Sequence, residues 1–118
     1  MIKIAERLNS SVKTTLAALE NNDAAYLTKI AIMQAKAGAD YIDINAALLG
    51  DKEAEGLALL SDIVLENTNC GIMIDSPNPL VIEPLLDKLG KRPYIINSIA
   101  LDNRLDILGD IIRDRGCG

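Results

Sequence analysis

The sequence predicts an α/β fold in which parallel strands alternate with helices. Short segments at 2–8, 40–45, 70–74 and 93–98 read as strands, with an apolar run in the third, and each is followed by a helical pattern. Apolar runs of this length are typical of buried parallel strands, and alternation with helices implies right-handed crossovers between them. The chain of 118 residues has the size of one domain, so we expect a single domain, 1–118, built from four strand–helix units.

The helices are predicted from apolar periodicity and from residues that start and stop helices. The predicted helices are 12–20, a helix from 23 that ends at Gly38, a helix that opens at Asp51, 78–89 and 103–115. We expect a serine to cap the first helix, Asp23 the second and Asn78 the fourth, where Pro79 follows at the first helical position. Gly38 and Gly90 are expected just past helix ends.

The end of the sequence resembles the segment that precedes the second predicted strand. Arg113-Asp114-Arg115-Gly116 is similar to Ala35-Lys36-Ala37-Gly38, so a fifth strand is expected almost where this sequence stops. A complete barrel of eight strand–helix units takes about 250 residues. We therefore expect the (βα)4 half of a TIM barrel with parallel strands, an N-terminal half that looks truncated at a unit boundary.

Composition excludes several classes of function. The net charge of −5 argues against nucleic-acid binding, which needs a basic surface. No apolar run approaches the roughly 20 residues of a membrane span, and Glu6 interrupts the apolar amino terminus, so neither a membrane protein nor a signal peptide is expected and the predicted location is cytoplasmic. The absence of His removes Ser-His triads and most His-based metal sites, and two Cys are too few for a zinc site, so no metal is expected.

Polar residues stand at or just past the carboxyl end of every predicted strand. They are Asn9, the pair Asp43 and Asn45, Asp75, and Asn97. In parallel α/β folds these strand ends lie along one rim, where ligands bind. Carboxylates accept two N–H bonds and amides offer a donor and an acceptor, so this set suits a flat heterocycle with adjacent donors and acceptors.

Each of these residues also has a purely structural interpretation. Asp75 is able to cap the following helix, although Asn78 is a better cap. Asn45 and Asn97 are common turn residues, and Asn9, which precedes two serines, is typical of a helix cap. Asp43 alternates with isoleucines, so its side chain points either toward the barrel interior or outward.

Four motifs occur together in a recognisable order. They are Glu6-Arg7-Leu8-Asn9, the segment 38–45, the segment 74–78, and Ile96-Asn97-Ser98. As an ordered set they resemble the pterin-binding family, in its methyltetrahydrofolate:corrinoid methyltransferase branch and, more distantly, dihydropteroate synthase. The resemblance covers essentially the whole chain but only the first half of the family's barrel. Ala46-Ala47-Leu48-Leu49 does not match the Gly-rich segment usual in dihydropteroate synthase.

The resemblance implies roles for the residues at the strand ends. Asp75 and Asn97 match the family's pterin-contacting Asp and Asn, Asn45 matches an Asn near the same pocket, and Asn9 lies in the loop that borders it. The implied substrate is methyltetrahydrofolate, and the implied cofactor is a cobalamin or other corrinoid carried by a partner protein. The sequence departs from the family at Ala5 for a usual Gly, Leu8 for Ile, and Ala46-Ala47 for Val-Gly.

The resemblance also implies that part of the family's site lies outside this sequence. In the family, a second pterin-binding Asp and the Asn that hydrogen-bonds the methyl-bearing nitrogen come from later strands. Catalysis requires stabilising that nitrogen as its bond to the methyl group breaks. The 118 residues alone are therefore not expected to turn over.

Three functions remain open from the sequence. The first is the pterin-binding half of a methyltransferase that moves a methyl group from methyltetrahydrofolate to the cobalt of a corrinoid protein. The alternatives are a dihydropteroate synthase-like enzyme of folate biosynthesis, and a non-catalytic half-barrel that binds pterin weakly or assembles with a partner chain. Half a barrel exposes its inner face and two sheet edges, so we expect a homo-oligomer or a missing C-terminal half. Glu6 and Arg7 are expected as an ion pair in the barrel mouth or as a solvated pair.

Overall fold

The architecture is one parallel sheet of four strands with helices between them. The structure, a computed structural model, describes residues 2–97. The strands are β1 (Ile4–Asn9), β2 (Tyr41–Asn45), β3 (Gly71–Asp75) and β4 (Tyr94–Asn97). The helices are α1 (Lys13–Glu20), α2 (Ala24–Lys36), α3 (Glu53–Asn67) and α4 (Pro79–Leu89), with a short 3₁₀ helix at Ala47–Lys52. The predicted fold, four parallel strands alternating with helices as in half of a TIM barrel, is confirmed.

The strands lie side by side in the order in which they occur along the chain, β1-β2-β3-β4, and every neighbouring pair is parallel. Right-handed crossovers between consecutive strands place all helices on the same face of such a sheet. The predicted strands differ from the observed ones by one or two residues at their ends. Ser98 and the predicted helix 103–115 lie outside the described residues.

The hydrophobic core lies between the sheet and its helices. It consists of the aliphatic residues that alternate along the strands, such as Ile42, Ile44, Ile72 and Ile74, all fully buried, together with the inner faces of the helices. In α2 the helical spacing of Leu27, Ile30 and Ala31 predicts an inner apolar face that also includes Met33. Met33 is instead 47% exposed. Within residues 2–97 no helix is long and apolar enough to cross a membrane.

Most predicted helix boundaries are confirmed by their capping bonds. Asp23 accepts a hydrogen bond from the Tyr26 amide at 3.1 Å, and Asn78 accepts one from the Leu80 amide at 3.0 Å. Gly38 and Gly90 follow α2 and α4 with φ values of 97° and 58°, which favour glycine.

Two boundary predictions are wrong. The residue that precedes α1 is Val12, with no side-chain cap, so no serine caps this helix. Asp51 lies in the 3₁₀ helix, and α3 begins at Glu53 rather than at Asp51.

A β-bulge interrupts the pairing of β1 with β2. Ala5 is paired with Ile42 and Leu8 with Ile44, so two residues of β1, Glu6 and Arg7, stand opposite the single residue Asp43. The extra residue in a bulge reverses the alternation of side chains beyond it. Because of the bulge, Leu8 faces the helices and is fully buried.

Candidate functional site

Every strand ends in a buried aliphatic residue followed by a half-buried polar residue. The four pairs are Leu8-Asn9, Ile44-Asn45, Ile74-Asp75 and Ile96-Asn97, and the aliphatic members are at most 1% exposed. Side chains alternate across a strand, so the polar members lie on the sheet face opposite the helices. We call this the site face; it carries Asn9, Asp43, Asn45, Asp75 and Asn97.

The strand register brings the predicted site residues together along one edge of the site face. Asn9 is paired with Asn45, and Asp75 is paired with Asn97. β2 and β3 are themselves neighbours, with Ile44 paired with Ile74. The four predicted residues therefore form one continuous row across the sheet.

Asp75 does not cap the helix that follows it. Asn78 caps α4, and the intervening Ser76 accepts a hydrogen bond from the Asn78 amide at 3.1 Å and donates one to the buried Glu53 carboxylate at 2.6 Å. The carboxylate of Asp75 instead forms a hydrogen bond with Asp43 on the neighbouring strand. The capping interpretation of Asp75 is thus wrong.

Asp43 is the strand-end residue whose direction the sequence left open and to which the resemblance assigned no role. Its side chain points to the site face, where it is 2% exposed. Burial raises the pKa of Asp43 to about 7, helped by the negative charges of Asp75 and Glu6 and by the hydrogen bond with Asp75. Below about pH 7 the protonated form of Asp43 is favoured, and in that form Asp43 donates this hydrogen bond to Asp75.

No donor within residues 2–97 bonds to one oxygen of Asp43. This oxygen, Oδ1, is buried. Buried oxygens are almost always hydrogen-bonded in folded proteins, and the Asp43 carboxyl has the hydrogen bond that it shares with Asp75. The sequence did contain a signal that Asp43 lies on the site face, because it stands two residues before Asn45 and residues at that spacing in a strand share a face. Its burial, however, depends on side chains from other strands.

Asn45 is fixed by local hydrogen bonds on one side of its amide. Its Oδ1 accepts from the Ser10 hydroxyl at 2.8 Å and from the Ala47 amide at 3.0 Å. A backbone N–H can only donate, so the atom that faces Ala47 must be the oxygen. The amide nitrogen of Asn45 is the group left to meet a ligand. Asn45 is therefore partly a turn residue, as the structural interpretation predicted. Its side-chain N–H groups remain as hydrogen-bond donors on the site face.

Asn9 and Asn97 end the two outer strands. The Oδ1 of Asn9 accepts from the amide of Ser11 at 2.9 Å and from its hydroxyl at 2.8 Å, which forms a tight turn before α1 rather than a cap of the helix. The backbone carbonyl of Asn97 accepts from the Ser76 amide at 3.3 Å. No hydrogen bond from the Asn97 side chain to the described part of the chain is seen. Asn97 is therefore the least constrained of the four amide and carboxylate side chains.

The charges of β1 are separated rather than paired. Glu6 and Arg7 are both exposed and form no ion pair with each other. Glu6 acts on the site through its charge, which raises the pKa of Asp43. Of the two expectations for these residues, the ion pair in the barrel mouth is not formed, and the exposure of both side chains agrees with a solvated pair.

The row thus holds one carboxylate and three amides, and the Asp43 carboxyl, with a pKa of about 7, lies beside it on β2. A carboxylate accepts hydrogen bonds from two adjacent N–H groups of a flat ring, and amides beside it offer both donors and acceptors. No charge in this row is positive, so the row suits a ligand edge that donates hydrogen bonds rather than a phosphate.

The sequence is similar to that of a known methyltransferase. It is 36% identical over 115 residues to the methylcorrinoid:tetrahydrofolate methyltransferase of Eubacterium limosum. This match confirms the resemblance to the methyltetrahydrofolate:corrinoid methyltransferases. The aligned region is 97% of this chain and 42% of the relative, so the chain spans less than half the relative's length, which fits a similarity to the N-terminal half. No family model matches the chain.

Proposed function

We propose that this chain provides the pterin-binding part of a methyltransferase that moves a methyl group between methyltetrahydrofolate and the cobalt of a corrinoid protein. The observation that carries the proposal is the row of polar strand ends centred on the hydrogen-bonded pair Asp43 and Asp75. The name of the relative supports the reaction class, because it pairs a methylcorrinoid with tetrahydrofolate.

The donor and acceptor pattern of the row fits a pterin. A pterin ring carries an amino group and a ring N–H side by side, which match the two oxygens of Asp75. The surroundings raise the pKa of Asp43 to about 7, and its protonated form holds Asp75 by donating to it. The amides of Asn45 and Asn97 lie on either side of Asp75 along the row. In the proposal they offer donors and acceptors to the remaining ring atoms.

The direction of transfer is a separate point. The resemblance implies a methyl group leaving methyltetrahydrofolate, whereas the relative is named for transfer from the methylcorrinoid to tetrahydrofolate. An enzyme that stabilises one transition state accelerates the reaction both ways, so both directions belong to the proposal. The corrinoid supplies the cobalt that carries the methyl group. The residues of this chain bind and orient the pterin, in a location we propose to be the cytoplasm.

Calorimetric titration tests the pterin site. We expect tetrahydrofolate to bind the chain, and Asp75→Ala to weaken the affinity by about tenfold to a hundredfold, because hydrogen bonds to a charged group contribute about 1.5–3 kcal/mol. The matched control is Asp62→Ala, which removes a carboxylate that pairs with Lys88 at the surface, away from the site face. Equal affinities of Asp75→Ala and the parent protein would refute the pterin site.

A second assay separates an enzyme from a binding scaffold. Methyltetrahydrofolate is mixed with cob(I)alamin, or tetrahydrofolate with methylcobalamin, and the absorbance of methylcobalamin is followed. Binding with no change in absorbance in either direction supports the non-catalytic half-barrel for the 118 residues by themselves. Conversion that Asp75→Ala abolishes supports the methyltransferase.

A further inference from the structure

The bulge of β1 is held from the helix side by two buried side chains. The amide of Arg7 donates to Oε1 of Gln34 on α2 at 2.8 Å, and the carbonyl of Arg7 accepts from the hydroxyl of Thr15 on α1 at 2.6 Å. Gln34 is 6% exposed and Thr15 is 1% exposed. Both backbone groups of the bulged residue are thus bonded to side chains that two different helices supply.

The bulge decides which side chains of β1 reach the site face. Ala5 faces the helices beside Ile42. Without the extra residue, strict alternation would turn Leu8 to the site face and Asn9 into the helix layer. With it, Leu8 is buried in the core and Asn9 stands beside Asn45.

The same bulge sets the position of Glu6. Glu6 and Arg7 together lie opposite Asp43, and the charge of Glu6 reaches the Asp43 carboxyl. The charged groups that act on Asp43 are Glu6 from β1 and Asp75 from β3. Bulges next to functional sites re-aim side chains in this way.

At the β1 bulge, the Gln34 side chain contributes a hydrogen bond rather than apolar packing. Its Nε2 is buried and has no partner within residues 2–97. An unpaired buried amide group opposes folding, so an apolar side chain of similar size would fill the space at lower cost. What the amide adds is the acceptor for the Arg7 N–H, which a bulge leaves without a partner in the sheet.

We propose that Gln34 and Thr15 are positioning residues that hold the β1 bulge in the form that turns Glu6 and Asn9 toward the site face. This inference rests on the proposed function, because it names the residues that orient β1 toward the proposed pterin site. The groups act through the backbone of Arg7 and touch no substrate themselves.

A double-mutant cycle read at Asp43 tests the inference. In ¹³C-labelled protein, the chemical shift of the Asp43 carboxyl carbon is followed against pH for the parent, Glu6→Gln, Gln34→Met and the double variant. Glu6→Gln is expected to move the Asp43 midpoint to lower pH in the parent, because it removes a nearby negative charge. In the Gln34→Met background the same change is expected to produce less than about half that shift.

A residue that only stabilises the fold would leave this coupling unchanged. Equal shifts from Glu6→Gln in both backgrounds would therefore overturn the proposal. The NMR titration of Asp43 contains no pterin. It therefore tests the role of the bulge even if the calorimetric titration of Asp75→Ala refutes the pterin site.

The Thr15 contact gives an independent test if Gln34→Met does not fold. Thr15→Val removes the hydroxyl that donates to Arg7 and keeps the shape, whereas Thr15→Ser keeps the hydroxyl. We expect Thr15→Val to reduce the Glu6-dependent shift at Asp43 and Thr15→Ser to preserve it. An undiminished shift in Thr15→Val would contradict the proposal.

Discussion

Asp43 donates a hydrogen bond to Asp75 across two neighbouring strands, and this bond joins a neutral acid to its acceptor at the centre of the site face. The proton on Asp43 persists to about pH 7 because the carboxyl is buried beside two other carboxylates. The pair is therefore a titrating element within the range where proteins are usually studied.

We predict that Asp43→Asn removes a pH dependence of stability. The pKa of Asp43 is raised from 3.8 to about 7 in the folded chain, so between these pH values the folded state holds a proton that the unfolded state has lost. Stability must then fall as the pH rises through this window, by on the order of a few kcal/mol, and stay reduced above it. Urea unfolding at pH 5 and pH 8 measures the difference.

The asparagine variant provides the contrast. Its side chain still donates to Asp75 but carries no charge at any pH. We expect the variant to lose much of the decline in stability between pH 5 and pH 8 and to exceed the parent protein at pH 8. A decline as steep as the parent's would show that other groups cause it.

Asn45 and Asn97 should differ when each is replaced by alanine. Asn45 accepts hydrogen bonds from Ser10 and Ala47, so Asn45→Ala leaves both donors unpaired and is expected to cost about 1–3 kcal/mol of stability. Asn97 has no such side-chain bonds to the described residues, and Asn97→Ala is expected to weaken pterin binding while leaving the unfolding midpoint nearly unchanged. Urea unfolding and calorimetric titration on both variants separate the two effects.

The Ser76 hydroxyl is predicted to secure the segment that follows Asp75. It donates to the buried carboxylate of Glu53 at 2.6 Å, which ties the β3–α4 connection to the start of α3. Ser76→Ala leaves that carboxylate short of a donor and should cost about 1–3 kcal/mol. Ser76→Thr, which retains a hydroxyl, is the matched control in urea unfolding, and equal losses from both would attribute the effect to packing.

Self-association remains a prediction from the open architecture. β1 and β4 are the outer strands of the sheet at residues 2–97, and half-buried Ile95 lies on the face without helices. We expect light scattering after size exclusion to give a mass above the monomer, and Ile95→Glu to lower it. Leu80→Glu, at an 81% exposed position on α4, is the control that should have no effect. A monomer at every concentration would contradict this expectation.

The sequence predicts the fold and the row of strand ends because both depend on local alternation. The apolar runs place Ile44, Ile74 and Ile96 in the core, and the polar residue after each then falls on the opposite face. The bulge at Glu6 and Arg7 escaped prediction because its stabilising contacts come from Thr15 and Gln34, 8 and 27 residues further along the chain.

The burial and the raised pKa of Asp43 could not be predicted from the sequence for a similar reason. Its alternation with isoleucines leaves the direction of the side chain open. Its burial and raised pKa depend on Asp75 from β3 and Glu6 from β1, which only the folded sheet brings near. The structure likewise shows that Asn45 serves its own turn with one half of the amide, which residue type alone does not reveal.

The paired strand endings have a consequence for how this domain tolerates change. In each strand the last core residue and the polar residue of the site face are adjacent, so a point substitution alters one of them and leaves the other in place. A one-residue deletion within β2, β3 or β4 exchanges the two, pushing an amide or carboxylate into the helix layer and an isoleucine into the solvent. Libraries that vary ligand preference should therefore substitute at positions 9, 45, 75 and 97, while length variation belongs in the connections between elements.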